Sequence, residues 1–136
     1  MAQNEIKKNG NELGLAELHG AISIDTTEDK IKLYNLICNT QKSINDILGE
    51  KVKIKGYHLS NTRLIKPDTV KGYEDSPRIV FILENGEAVI TFSIGIYLAL
   101  KRLTSVFGEP PYDFYLIFRQ IEKGKNRIYT IDISKD

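Results

Sequence analysis

From residue 51 onward the apolar residues of this chain mostly alternate, and a single stretch breaks that period. Between Ser93 and Gly108 the residues Ile96, Leu100, Leu103 and Phe107 recur at helical spacing. Ser93 can cap such a helix, Gly108 can end it, and Pro110-Pro111 prevent its continuation. On both sides the chain reads as strand. Lys51-Val52-Lys53-Ile54-Lys55-Gly56-Tyr57 alternates strictly, which sends Val52 and Ile54 inward and gives Lys51, Lys53, Lys55 and Tyr57 a common outer face. Residues 78–83 and 87–92 flank Asn85-Gly86, a tight-hairpin signal because both residues tolerate positive φ. Residues 114–121 and 127–133 are two further strands joined by Lys123-Gly124-Lys125-Asn126.

The order from residue 51 is therefore strand, strand, strand, helix, strand, strand. That order predicts a mainly β fold: a five-stranded Greek-key barrel of the oligonucleotide/oligosaccharide-binding (OB) type, with a helix between strands 3 and 4. The chain of 136 residues fits one such domain. Residues 1–29 are polar and read as a flexible N-terminal arm, leaving 30–136 as the domain. Residues 31–37 read as a further strand, and Ser43 as the cap of about one helical turn that stops at Gly49. Phe81, Phe92, Phe107, Phe114, Phe118, Tyr97 and Tyr129 are the expected aromatic core.

Several chemistries lack their residues. His19 and His58 are the only histidines and Cys38 the only thiol. No Cys or His pair has metal-ligand spacing, and neither GxxxxGK[ST] nor GxGxxG occurs. Cys38 reads as a small buried residue, since nothing supplies the partner a nucleophile needs. The expectation is a protein with no catalytic residues, no metal and no cofactor. The N-terminus has no apolar run of a signal peptide, and no stretch has the roughly 18 apolar residues of a membrane helix, so a cytoplasmic location without membrane association is expected.

What does stand out is charge placed among aromatics. The formal net charge is only +1, but residues 1–50 carry five lysines against eight acids, whereas residues 51–78 carry seven cations against three acids. Residues 119–127 add Arg119, Lys123, Lys125 and Arg127 against Glu122 alone. A single-stranded nucleic acid needs cations for its phosphates and flat side chains for its unpaired bases. Tyr57 is placed with Lys53 and Lys55, Tyr115 shares a face with Arg119, and the tip 123–127 joins the last two strands. Tyr34, Tyr73 and Tyr112 are weaker candidates because their positions are less defined.

With these elements placed, Phe92-Ser93-Ile94-Gly95, Leu98-Ala99-Leu100-Lys101-Arg102-Leu103, Phe107-Gly108-Glu109-Pro110 and the stretch Arg119 to Ile131 resemble the single-stranded DNA-binding proteins of phages infecting Gram-positive bacteria. Tyr34-Asn35 and residues 43–49 look like that family's N-terminal portion, which extends the resemblance over residues 31–133. It implies a sequence-tolerant protein that coats and protects exposed DNA during phage replication in the host cytoplasm. Lys53, Lys55, Tyr57, Arg78, Tyr115, Arg119, Lys123, Lys125 and Arg127 would line its groove. The arm is longer than the family pattern. The end Ile133-Ser134-Lys135-Asp136 lacks the acidic tip by which cellular homologues recruit replication or recombination proteins, which puts recruitment by that route in doubt. Oligomeric state stays open, a homodimer included, as does RNA in place of DNA. Two rivals remain: a small enzyme or nuclease accessory that uses the barrel to hold its substrate, and a protein-interaction module, a phage scaffold or inhibitor of a host protein. Exposed Ile117 and Ile128 would favour the interaction module.

Overall fold

The computed structural model describes residues 16–136. Strand β1 (Glu17–Gly20) is followed by helix α1 (Thr27–Asn39) and a single 3-10 turn at Ile44–Ile47. Strands β2 (Lys51–Val52), β3 (Ile54–Ile65), β4 (Tyr73–Leu83) and β5 (Ala88–Thr91) come next, then helix α2 (Ile94–Phe107), β6 (Tyr115–Lys123) and β7 (Asn126–Ser134). The strands form two antiparallel sheets, ordered β1-β3-β4-β5 and β2-β6-β7. The segment from Lys51 to Ile65 serves both, because β2 pairs with β6 and β3 pairs with β4. Among the described residues β5 and β7 share no ladder, so the sheets do not close into a barrel. The fold is mainly β, with α2 between β5 and β6.

The core lies where the two sheets face each other. Phe81 of β4 and Phe118 of β6 are both fully buried, and their ring centroids sit 5.1 Å apart. Helix α2 adds Ile96, Leu100 and Leu103 at the spacing that predicted it. The Ile96 amide donates to the Ser93 hydroxyl at 3.1 Å, and the Gly108 amide closes the last turn on the Thr104 carbonyl at 2.9 Å. Phe92 and Phe107, expected in the core, are half-exposed at the two ends of this helix.

The first third of the chain departs from the expected arm and strand. Residues 31–37 are the middle of α1, which begins inside the segment expected as an arm and is capped by Thr26, whose hydroxyl accepts from the Asp29 amide at 3.0 Å. Glu28 and Asp29 in the first turn favour the positive end of the helix dipole. Cys38, expected to be buried in a strand, is exposed on this helix. Residues 17–20, also expected in the arm, pair with β3 in the register Gly20↔Gly56. The two backbones approach so closely there that a Cβ on Gly56 would stand 2.5 Å from the His19 carbonyl oxygen. Residues 1–15 of the expected arm lie outside the described residues.

Two further differences concern β3 and β4. The pairs Ile54↔Leu83 and Gly56↔Ile82 leave one extra residue on β3, a bulge at Lys55-Gly56. A bulge exchanges the two faces of the strand beyond it. Between Tyr57 and Arg78, where Pro67, Asp68, Gly72, Asp75 and Pro77 read as a connecting loop, the chain instead forms a long ribbon, paired from Asn61↔Pro77 out to Ile65↔Tyr73. Pro77 is tolerated because β5 reaches only to Ile79↔Thr91, which leaves β4 an open edge at that point. At the other end of β4 the Asn85-Gly86 signal holds, but only Gly86 takes a positive φ. Its amide bonds the Leu83 carbonyl at 2.9 Å, and the Leu83 amide bonds Glu87 at 2.8 Å, so the turn is one residue wider than the signal suggested.

Gly95, in the first turn of α2, packs directly on β7. A Cβ there would lie 2.4 Å from the Tyr129 carbonyl oxygen, a backbone atom that cannot rotate away. Helix propensity alone would make Gly95→Ala stabilising by roughly 0.5–1 kcal/mol. The contact reverses the sign, and we expect a loss of roughly 1–3 kcal/mol from overpacking, read as a lower urea midpoint with unchanged slope.

Candidate nucleic-acid interface

The outer face of the sheet β2-β6-β7 collects most of the chemistry read from the sequence. On β6 the odd-numbered residues Tyr115, Ile117, Arg119, Ile121 and Lys123 share one face by strand alternation. Register places Lys51 opposite Ile117, which brings Lys53 alongside Tyr115. The Lys53 ammonium stands 5.0 Å from the centroid of the Tyr115 ring. Both residues border a shallow cleft of about 210 Å³ that also takes in Lys51, Glu84 and Asn85. Lys51, absent from the sequence-based set, donates to the C-terminal carbonyl of Asp136.

Ions on this face fall into two groups. Arg119 donates through Nε to Asp132 at 2.5 Å, whereas Arg127, in register with Glu122 and 3.8 Å from it, belongs to the opposite face. Lys123 and Lys125, at the tip of the β6–β7 hairpin, make no ion pair among the described residues and are exposed. Ile117 is only 6 % exposed, flanked in register by Lys51 and Asp132, and Ile128 is half-buried. The apolar outer patch expected at these two residues is therefore not formed.

Three of the nine expected residues lie off this sheet altogether. Tyr57 was expected on the outer face with Lys53 and Lys55, but the bulge turns it inward, where it is 4 % exposed and belongs to the core. Burial first, and then the negative charge of Glu109, push its phenol well above the ordinary tyrosine range. The His19 ring stacks on it at 4.7 Å and 21°, with Nε2 2.9 Å from Glu17 and Nδ1 3.1 Å from Glu109. This contact ties β1 to the loop before β6. Nearby, Tyr112 donates to the Gly108 carbonyl at 2.7 Å, and burial followed by Glu109 pushes its phenol up to about 12.

Lys55 and Arg78 lie under α1 on the far face of the other sheet. Lys55 borders a cleft of about 200 Å³ with Leu33, Leu36 and Ile82. Arg78 donates through Nη2 to the Ile37 carbonyl at 2.6 Å. The last turn of α1 contains no basic residue. Arg78 supplies the missing cation from the sheet, and the Thr40 hydroxyl donates to the neighbouring Leu36 carbonyl.

The ribbon of β3 and β4 holds cations that are already engaged. Arg63 donates to both carboxylate oxygens of Asp75, at 2.9 and 3.3 Å, and lies 3.8 Å over the Tyr73 ring. Lys66 stands 2.9 Å from Glu74. The basic stretch 51–78 is thus divided among an open face, a helix underside and a self-paired ribbon. Among the described residues no three His, Cys, Asp or Glu side chains are placed to hold a metal, and no helix is long and apolar enough to cross a membrane.

Compared with known family models, curated proteins and solved structures, the chain matches none.

His58 is the feature that sequence reasoning passed over. It follows Tyr57, so the bulge sends it outward beneath α1, where its Nδ1 is buried without a hydrogen-bond partner among the described residues. Burial, and then the nearby Arg78 guanidinium, hold its pKa below the ordinary 6.5. The folded state therefore binds this proton less readily than the unfolded chain does. Its contribution to stability is full above 6.5 and is lost as pH falls below that value. Urea midpoints at pH 7.5 and 5.5 should show a larger acid loss for the parent than for His58→Gln, which keeps a polar side chain but does not titrate.

Proposed function

We propose that this protein binds single-stranded DNA without reading its sequence, and that the outer face of β2-β6-β7 is the platform. The observation that carries this reading is the Lys53 ammonium 5.0 Å from the Tyr115 ring, at one end of a face that runs along β6 to the unpaired Lys123 and Lys125. A phosphate and a base face can both be satisfied there. The run from Tyr115 to Lys123 is about 25 Å long at the usual strand rise, enough for a short oligonucleotide. Four of the nine expected residues, Lys53, Tyr115, Arg119 and Lys123, fall on it, and Lys125 extends it at the tip, while Arg127 lies with Glu122 on the opposite face of the hairpin.

The element order from Lys51 supports an OB-like relationship: with β2 and β3 taken as one strand shared between the sheets, it runs three strands, a helix and two strands. In this reading the barrel is left open between β5 and β7. The resemblance to phage single-stranded DNA-binding proteins points the same way, to a coat on exposed DNA in the cytoplasm of an infected host, without catalysis.

Fluorescence anisotropy with labelled oligo-dT, oligo-dA and a matching duplex tests the proposal at two salt concentrations. Both single strands should bind and the duplex should not. Charge reversal at Lys123 and Lys125 together should weaken both single strands alike and reduce the salt slope by about 1–1.5. Tyr115→Ala should lose roughly 1–3 kcal/mol, the contribution of one stacked base. Unchanged binding by both variants would remove this face from the proposal, and no binding by folded parent at low salt would sink it.

A further inference from the structure

The second sheet ends on an open edge. Among the described residues β7 has β6 as its only sheet neighbour, and no backbone hydrogen bond joins its outer side to any other described segment. The first turn of α2 covers this edge at Tyr129 through Gly95. Toward the C-terminal half of β7 the helix and the strand diverge around a groove of about 240 Å³. Arg102, Val106 and Phe107 line it from α2, and Thr130, Ile131 and Ile133 from β7. Val106 is 73 % exposed, Phe107 50 % and Ile133 42 %. An unpaired strand edge and an exposed apolar groove thus lie side by side.

Charge narrows the occupant. Helix α2 carries Lys101 and Arg102 and no acidic residue, the groove lining contains no carboxylate, and neither cation has an ion pair among the described residues. A second copy docked about a twofold axis would bring these cations toward their own equivalents. An acidic segment with bulky apolar residues meets both features, its carboxylates on Arg102 and its side chains in the groove. An extended backbone would satisfy the open edge as an added strand.

We propose that the groove between α2 and β7 is a docking site for an extended acidic-apolar segment of another protein. The site is separate from the outer face assigned to DNA and does not depend on that assignment. Strand addition supplies the backbone bonds, the groove selects apolar side chains at alternate positions, and Arg102 selects against basic peptides.

The test uses the full chain and short fluorescein-labelled peptides alternating aspartate with leucine, aspartate with serine, and lysine with leucine. Only the aspartate–leucine peptide should bind appreciably. Arg102→Glu and Val106→Glu, both at exposed positions, should each weaken it by about tenfold or more, while oligo-dT anisotropy stays that of the parent. Failure of the folded parent to bind this peptide overturns the proposal, as does equal binding by the parent and both variants. Displacement of the peptide by oligo-dT would give the groove to the nucleic-acid path instead. A parent dimer in sedimentation that Val106→Glu dissociates would make it a self-interface. Loss of oligo-dT binding by parent protein that still binds the peptide would sink the DNA reading alone.

Discussion

The bulge at Lys55-Gly56 is the constraint on which most of this structure depends. It falls where one strand leaves the sheet β2-β6-β7 and enters the sheet β1-β3-β4-β5, so the chain can serve both with one residue, Lys53, between its two segments. An extra residue increases local twist and bends the strand. It also reverses the faces beyond it, so Ile54 and Tyr57 both reach the core although their spacing is odd. The same turn allows β1 to lie on β3 through the facing pair Gly20 and Gly56, where Gly20 has φ +105° and a Cβ on it would stand 2.4 Å from the Lys55 carbonyl oxygen. Side chains on these two residues would force the strands apart. His19 would then lose its stack on Tyr57, and β1 its tie to Glu109.

How much of this could be read beforehand depended on whether a signal was local. Helix α2 was legible because its cap, its period and its stop all lie within sixteen residues, 93–108. The β6–β7 hairpin was legible for the same reason. The bulge was not, since Gly56 in an alternating run marks a bend but does not say which face follows it. That one ambiguity misplaced Tyr57. Helix α1 was missed because Ile31, Leu33, Leu36 and Ile37 satisfy alternation and helical spacing about equally, and the local discriminator, Thr26 followed three residues later by Asp29, was passed over. The ribbon was missed because residues 60–63 and 74–76 are polar on both faces and Pro77 reads as a break. Strand pairing holds them there without a core to imprint an apolar pattern.

Charge shows the limit of a linear count most clearly. Seven cations between residues 51 and 78 suggested one basic face. Folding sends Lys51 and Lys53 to the outer sheet, Arg78 to the end of α1, and Arg63 and Lys66 to carboxylates on the neighbouring strand. A cation already held by a carboxylate or a helix terminus must give up that contact before it can meet a phosphate. The unpaired Lys123 and Lys125 give up nothing, so a short two-residue tip offers more to an anionic polymer than the longer basic stretch.

The open edge of β7 follows from the same architecture. A closed barrel removes its edges by pairing its first and last strands. Here β5 is only four residues long, and α2 follows it directly, with its first turn against Tyr129. The helix stands at part of the edge where a closing strand would lie. It shields that part through Gly95, and its departing C-terminal half exposes Val106 beside Ile133. Long, flat, apolar edges invite aggregation, and chains commonly protect them with charge, proline or cover. This one carries Arg102 at its margin, which repels a second copy and attracts an acidic strand. A charge in that position selects one partner against another, which separates a docking edge from a merely unprotected one.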